Sequence, residues 1–207
     1  MRSRFQRLAE SILVGEMSKS AVRIPRDRAL KIARFVIEKL GLIYVDPSKV
    51  GGDFGWRDNI GIPTGSIRRG KADVGDVDIL VTRDVASERD IVRKFGSTAD
   101  GIVSGKKQTF FRYVTEDVGI NIWLCSDPKT FGAFLAHTTG PNDYNIMLRS
   151  IVKRSGGRAN QYGVHDKDGN KLDGDTEASF YRAIRTSKHP EGLPWKEPSQ
   201  RSGFGRR

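Results

Sequence analysis

A glycine-serine turn with cationic side chains close behind it is the first feature that could do chemistry. The turn is Gly65-Ser66, and the cations are Arg68, Arg69 and Lys71. Glycine lets backbone N–H groups approach phosphate oxygens, the serine hydroxyl adds a donor, and arginine can grip two phosphate oxygens at once. Such a turn is more often an ordinary loop than a binding site. It therefore predicts a phosphate site only together with the residues that follow it.

Two aspartates follow at the start of a predicted strand, residues 77–82. Asp76 and Asp78 are two positions apart, so strand alternation places both side chains on one face. Two carboxylates on one face repel each other unless a cation lies between them, and Mg²⁺ binds carboxylate and phosphate oxygens together. A solvated charge pair on an edge strand is the alternative. With the turn upstream, the pattern predicts a triphosphate site next to two Mg²⁺ or Mn²⁺ ions, suited to in-line phosphoryl transfer.

A third carboxylate is missing from the place where such a site needs it. A neighbouring strand usually supplies it as a metal ligand and general base, but the predicted strand 118–125 offers the amide Asn121. Losing a positioned general base commonly costs about 10²–10⁴ in rate. Two explanations stay open. We favour an engineered Asp-to-Asn change that traps a complex before chemistry; otherwise the natural protein is slow or uses another base.

The apolar patterns around these residues predict an α+β fold, with a mixed sheet that carries helices. From Lys129 the pattern changes to short helices, a turn at 137–141 and a hairpin around 162–172. From Lys188 the chain is rich in proline and basic residues, and we expect it to lie along the surface or to be mobile. The other predicted elements are helices at 4–18, 23–40, 87–95, 130–136, 145–153 and 177–184, and strands at 59–63, 102–103 and 108–114.

Length, charge and cysteine content restrict the class of protein. The 207 residues suffice for one compact domain or for two small lobes that share a cleft. A net charge of +11 favours a polyanionic partner, nucleic acid before an anionic membrane. There is no long apolar run and no signal peptide pattern, and Cys125 is the single cysteine, so it can form neither an internal disulfide nor a zinc site. These features predict an intracellular protein.

Several motifs together resemble those of the X family of DNA polymerases, the relatives of DNA polymerase beta. The likeness runs from about residue 23 to 200, with the loop at 45–58 unmatched. The motifs are Arg23-Ile-Pro-Arg, Gly65-Ser66-x-x-Arg69-Gly70, Gly75-Asp76-Val77-Asp78, Thr139-Gly140-x-x-x-x-Asn145-x-x-x-Arg149, Asn160-Gln161-Tyr162 and Glu197-Pro198.

The resemblance implies a domain organisation. It would comprise an N-terminal helical extension (1–22), a nucleotidyltransferase palm (23–136), and a small α/β thumb with a basic C-terminal arm (137–207). Only about 22 residues precede the match, so we expect no lyase or helix-hairpin-helix region. Lys106, Lys107 and the C-terminal arm are then candidate phosphate contacts, with a solvated charged surface as the alternative.

The resemblance also implies a role for individual residues. Asp76, Asp78 and the position of Asn121 would hold the metals. Ser66 and Arg69, with the turn glycine Gly65, would bind the phosphates of an incoming dNTP, and Gly75 would add a backbone contact. Thr139 and Gly140 would lie against the sugar of the nucleotide. Asn145 would reach the minor-groove edge of the new base, and Arg149 would contact the template side. Gln161, in the thumb segment, would contact the DNA. Two interpretations of His137 stay open, a packed residue or a nucleotide contact, and the smallest viral members carry a histidine there.

The implied activity is that of a minimal, template-directed DNA polymerase that fills short gaps in DNA repair. The implied partners are gapped or primer–template DNA and dNTP, with no membrane, and we expect a monomer. A viral or phage source would fit the small size and would place the protein in the host cytoplasm or the virion. Two alternatives stay open: a template-independent terminal or other nucleotidyltransferase, and a catalytically silent module that binds DNA gaps.

Overall fold

A six-stranded mixed sheet forms the first half of the described molecule. The computed structural model describes residues 23–82, 100–101, 110–114 and 118–202. The strand order is β2-β3-β5-β8-β7-β6, in which the pairs β2-β3 and β5-β8 are parallel and the other pairs are antiparallel. The strands are β2 (Ile43–Tyr44), β3 (Ile60–Pro63), β5 (Asp76–Thr82), β6 (Asp100–Gly101), β7 (Phe110–Val114) and β8 (Gly119–Cys125), and a separate two-stranded ribbon pairs β1 (Ile24–Pro25) with β4 (Asp73–Val74).

The central strand β5 directs alternate side chains to opposite faces of the sheet. Val77, Ile79 and Val81 pack in the cluster that contains helix α1 (Arg26–Lys39), whereas Leu80 packs against the helix that follows β8. The aspartates share the parity of Leu80, so they lie on the face opposite α1. Burial on both faces therefore fixes the register of β5 and with it the direction of both carboxylates.

Helix α1 (Arg26–Lys39) covers the other face of the sheet. Pro25 precedes its first turn, where a missing N–H costs nothing. Gly41 ends it with a φ of 77°, a backbone conformation that favours glycine. One apolar stripe buries Ala29, Ala33, Val36 and Ile37. The basic residues of α1 thus lie away from the aspartates.

The second half of the chain packs helices and a hairpin beside the sheet. The short helix α2 (Gly65–Arg68) belongs to the first half, and α3 (Phe131–Thr139) lies on the aspartate face. The other elements are α4 (Asn142–Arg154), β9 (Arg158–Asn160) paired with β10 (Gly163–His165), and α5 (Glu177–Arg182), with 3₁₀ turns at Pro47–Lys49, Pro128–Thr130 and Pro198–Gln200. The α+β class predicted from the sequence is confirmed, because a mixed sheet with helices is followed by helices and a small hairpin.

One local prediction was wrong and two were right in part. Residues 137–139 are the last turn of α3, and the chain turns only at Gly140-Pro141. The segments at 164–165 and 171–172 do pair antiparallel, as predicted, but the regular hairpin pairs Arg158–Asn160 with Gly163–His165. The C-terminal segment lies mostly along the surface, as expected, but Pro198 and Arg201 are buried, and Arg201 forms an ion pair with Glu177.

Some predicted features lie outside the described residues. They are the N-terminal extension at 1–22, the helix at 87–95, the strand at 102–103, and Lys106 with Lys107. Within the described ranges, no helix has both the length and the apolar character needed to span a bilayer.

Candidate active site

Adjacent parallel strands bring Asp76, Asp78 and Asn121 together. Asp78 on β5 is the register partner of Asn121 on β8. The Asn121 amide donates from Nδ2 to Asp78 Oδ1 at 2.9 Å and to Asp76 Oδ2 at 3.3 Å. Asn121 is buried, whereas both aspartates are half-buried. One amide group therefore bridges two carboxylates that would otherwise repel each other.

The electrostatics of this cluster favour a proton or a cation. Burial first, and then the neighbouring Asp76 carboxylate, raise the pKa of Asp78 to about 6, against the lowering effect of the hydrogen bond from Asn121. A carboxyl group with a raised pKa is one whose charge is poorly compensated by the protein alone. The cluster thus carries excess negative charge that a bound cation would neutralise.

The Gly65-Ser66 turn lies directly over the Asp78 carboxylate. A Cβ at Gly65 would overlap Asp78 Oδ2, and Gly65 has a φ of 55°. Only glycine satisfies both conditions without strain. The Thr64 N–H donates to the backbone carbonyl of Asp78 at 2.8 Å, which fixes the turn to strand β5. The sequence motif and the aspartate pair are therefore one packed unit.

The two consecutive arginines after the turn have different environments. Arg68 is buried and donates to Glu177, to Thr139 Oγ1 and to the carbonyl of Val50, so it is not available to grip phosphate, as its place beside the turn had suggested. Arg69 is partly exposed and donates from Nη1 to the carbonyl of Thr139. The next residue, Gly140, lies against the same guanidinium. Arg69 thus connects the turn to the predicted sugar contacts.

Sequence reasoning missed Glu177 and its partners. Glu177 is fully buried, binds Arg68 at 2.8 Å and Arg201 at 2.9 Å, and accepts a hydrogen bond from Trp195 Nε1 at 2.9 Å. Burial raises the pKa of Glu177, but the attraction of Arg68 and Arg201 outweighs it and holds the pKa below its usual range. No signal in the sequence distinguishes this glutamate from an ordinary first-turn residue of a helix.

His137 joins strand β8, which carries Asn121, to helix α4. Its ring meets Trp123 of β8 edge-on, with 5.5 Å between centroids, and its carbonyl accepts from Asn145 Nδ2 at 2.8 Å. Arg149 Nη2 lies 2.8 Å from His137 Nδ1. Arginine can only donate, so Nδ1 must be the acceptor and the neutral ring carries its proton on Nε2. Burial first, and then Arg149, lower the pKa of His137 to about 4.

A small pocket opens beside this histidine. It is lined by His137, Asn145, Leu148, Arg149, Asn160 and Phe180. Two of the residues predicted to contact the base pair, Asn145 and Arg149, therefore share one surface with His137. Both are held by His137 rather than by each other.

The structure describes two of the four remaining predicted site residues, Gly75 and Gln161. Gly75 is half-buried between β4 and β5, immediately before Asp76. Gln161 is half-buried in the turn between β9 and β10. Lys106 and Lys107 are outside the described residues, so the structure places neither of them.

The aspartate cluster has a donor set that fits a hard divalent cation. Among the described residues no three His, Cys, Asp or Glu side chains converge on one point, so a third ligand from the protein would be the amide of Asn121. Asn121 would have to turn its Oδ1 toward the carboxylates in place of Nδ2. Two carboxylates and one amide oxygen then match the oxygen ligands that Mg²⁺ takes. The third ligand is neutral and weaker than a carboxylate.

Two family models of known proteins match this chain. The DNA polymerase beta palm model matches residues 23–112, which contain the turn and both aspartates. The DNA polymerase beta thumb model matches residues 134–202, which contain His137, α4 and Glu177. The chain belongs to the X family of DNA polymerases. The resemblance seen in the motifs is thereby confirmed.

A curated relative agrees with this assignment over part of its length. The DNA polymerase/3'-5' exonuclease PolX of Bacillus subtilis (strain 168) is 29% identical over 158 residues. The alignment covers 73% of this chain and 25% of the relative, so the X family chain spans about a quarter of that protein.

Proposed function

We propose that the protein is a minimal template-directed DNA polymerase that adds dNMP to a primer 3′-hydroxyl, mainly at short gaps during DNA repair. The observation that carries the proposal is the packing of the Gly65-Ser66 turn onto Asp78, beside Asp76 and Asn121. This unit combines phosphate donors and cation ligands within one contact. Nucleotidyl transfer needs both at the same place.

The proposed roles divide between the two halves of the molecule. Ser66 and Arg69, with the backbone of Gly65 and Gly75, bind the triphosphate. Thr139 and Gly140 lie against the sugar. Two Mg²⁺ or Mn²⁺ ions bound by Asp76, Asp78 and Asn121 would supply charge neutralisation at the phosphoryl group. The residues proposed to meet the DNA are Asn145 and His137 at the new base pair, Arg149 on the template side, and Gln161, Lys106 and Lys107 elsewhere on the duplex.

The proposed organisation and setting follow the sequence. The palm spans 23–136 and the thumb 137–207, with 1–22 as an N-terminal extension. We propose an intracellular monomer of viral or phage origin, supported by the single cysteine and by the likeness of His137 and Gly140-Pro141 to compact viral members. An engineered Asp-to-Asn change at Asn121 is the proposed origin of the incomplete carboxylate set.

A comparison of substrates tests the templated reaction. Primer extension with each dNTP would be measured on a one-nucleotide gap and on the same primer as a single strand. We expect extension on the gap, with the complementary dNTP preferred. Equal rates on both substrates, without preference for the complementary dNTP, would instead support a template-independent transferase.

The amide of Asn121 favours one other function, a DNA-gap-binding module without turnover. Asn121 donates a hydrogen bond to each carboxylate, which offsets part of their repulsion when no cation is present. A catalytically silent protein would bind gapped DNA yet incorporate no nucleotide above background in Mg²⁺ or Mn²⁺. Metal-dependent incorporation by the unaltered chain excludes this function.

A further inference from the structure

The ion network around Glu177 is connected to the proposed nucleotide site through Arg68. Glu177 Oε1 accepts from Arg68 Nη1 at 3.2 Å and pairs with Arg201 Nη2 at 2.9 Å, and Oε2 accepts from Arg68 Nη2 at 2.8 Å and Trp195 Nε1 at 2.9 Å. The side chains of Glu177, Arg68 and Arg201 have no solvent exposure. Both oxygens of one carboxylate therefore organise residues from three parts of the chain.

Two consecutive arginines carry this network to the nucleotide side. Arg68 donates to Thr139 Oγ1, while Arg69 donates to the carbonyl of the same residue. Thr139 is thus held by its side chain and its backbone from the end of α2. Because α2 has only four residues, a shift of Arg68 would move Ser66 and Arg69 with it.

The charge balance makes Arg68 dependent on Glu177. The cluster contains two arginines and one glutamate, so it holds one excess positive charge. A buried charge that loses its partner is strongly disfavoured and rearranges toward water. Without Glu177, neither guanidinium would have a counter-ion among the hydrogen-bond partners found here.

We propose that Glu177 is a positioning residue for the incoming nucleoside triphosphate, and that it acts through Arg68 on Thr139 and on the phosphate turn. The inference rests on the proposed function and deepens it, because it adds a thumb residue that touches no substrate. The affinity for the negatively charged nucleotide then depends on a carboxylate that is itself negatively charged.

Two rival roles of Glu177 predict different results. If its negative charge acted only through the field, its removal would strengthen binding of a triphosphate. If it only supported the fold, its removal would lower the melting temperature and leave the affinity of the folded protein unchanged. Positioning predicts weaker binding, opposite in sign to the field effect.

The test measures dNTP affinity and DNA affinity separately, below the melting temperature of each variant. Glu177→Gln keeps the side-chain shape but removes the charge and turns an N–H donor toward other donors. We expect the dissociation constant for Mg²⁺-dNTP to rise about 10- to 100-fold, the scale of a small misplacement in a binding site, with the affinity for gapped DNA unchanged. Glu191→Gln is the matched control, because it makes the same charge change at an exposed glutamate of the same half.

A second variant covers the case in which Glu177→Gln does not fold. Arg201→Lys keeps the charge balance but loses the forked donor, and we expect a smaller weakening in the same direction. A dNTP affinity within twofold of the unaltered chain in the folded variants, or a tighter one, overturns the inference. If the unaltered chain itself binds no dNTP, the proposed function fails and the inference fails with it.

Discussion

At the scale of single residues, the most informative feature is the amide of Asn121 between two aspartates. Asn121 Nδ2 donates to Asp76 and to Asp78, so it occupies the space between them as a neutral donor. A carboxylate there would instead repel both aspartates and increase the need for a cation. On the proposed function, the residue at position 121 therefore determines both the metal affinity and the presence of a general base.

Asn121→Asp should raise the rate of nucleotide incorporation. A third carboxylate restores a metal ligand and a proton acceptor, and the expected gain is about 10²–10⁴ in rate. Single-turnover gap filling at saturating dNTP measures it. Asp78→Asn is the opposing control and should abolish incorporation. If Asn121→Asp is no faster than the unaltered chain, Asn121 does not occupy the position of a catalytic carboxylate.

His137 should stay neutral far below the usual pH range of histidine. Its pKa is lowered to about 4 from the ordinary 6.5 by burial and by Arg149. Between these values the unfolded state binds a proton that the folded state does not, so this histidine removes stability as the pH falls from 6.5 toward 4. NMR titration of the three histidines measures it, with His137→Asn identifying the resonance. Titration of that resonance near pH 6.5 would contradict the contact with Arg149.

At the scale of elements, the sequence predicted the strands that carry the candidate site and missed the packing around them. Asp76 and Asp78 alternate with apolar residues along one strand, so both carboxylates had to lie on the same face of the sheet. The end of α3 was harder to predict. His137, Thr138 and Thr139 have side chains that suit a turn, but burial of the two threonines extends the helix to Gly140. Tertiary packing therefore overrode local preference.

Helix α3 approaches the start of α5 closely at one glycine. A Cβ at Gly132 would overlap the carbonyl of Thr176, the residue that caps α5 through the N–H of Ser179. The two elements can pack in this way only if position 132 has no side chain. The close approach also places Glu177, the first residue of α5, next to Arg68.

Gly132→Ala should therefore destabilise the protein although alanine favours a helix. Overpacking of this kind typically costs about 1–3 kcal/mol, which exceeds the gain in helix propensity. Urea unfolding followed by circular dichroism measures the difference. Gly51→Ala is the control, because a Cβ there meets open space. A Gly132→Ala variant as stable as the unaltered chain would contradict the observed packing.

At the scale of the whole molecule, a buried ion network ties the thumb to the palm. Arg68 and Glu177 are 109 residues apart in sequence, and Arg201 joins them from the C-terminal segment. No periodicity or short motif can predict such a contact, because each charge looks like a surface residue in its own element. The sequence placed Arg68 beside phosphate and the C-terminal segment on the surface for this reason.

Acid should weaken the protein through Glu177. The folded-state pKa of this glutamate is below its ordinary value of 4.5, so its stabilisation is fully present above that pH and is lost as the pH falls through the folded-state pKa. At neutral pH Glu177→Gln should cost about 3–5 kcal/mol, the usual loss when one partner of a buried pair is removed. Urea unfolding of both proteins at pH 7 and pH 3.5 measures this. The difference should shrink at the lower pH, and a difference independent of pH would contradict an ionised Glu177.

The order in which a ribosome makes the chain gives the Arg68–Glu177 pair a further consequence. Arg68 leaves the ribosome long before Glu177, and Arg201 follows later still. Until its partner has been made, burying Arg68 would strand a charge, so the nascent first half must keep this part of its interior open to water. The site in the palm is thus completed only when nearly all of the thumb has been synthesised.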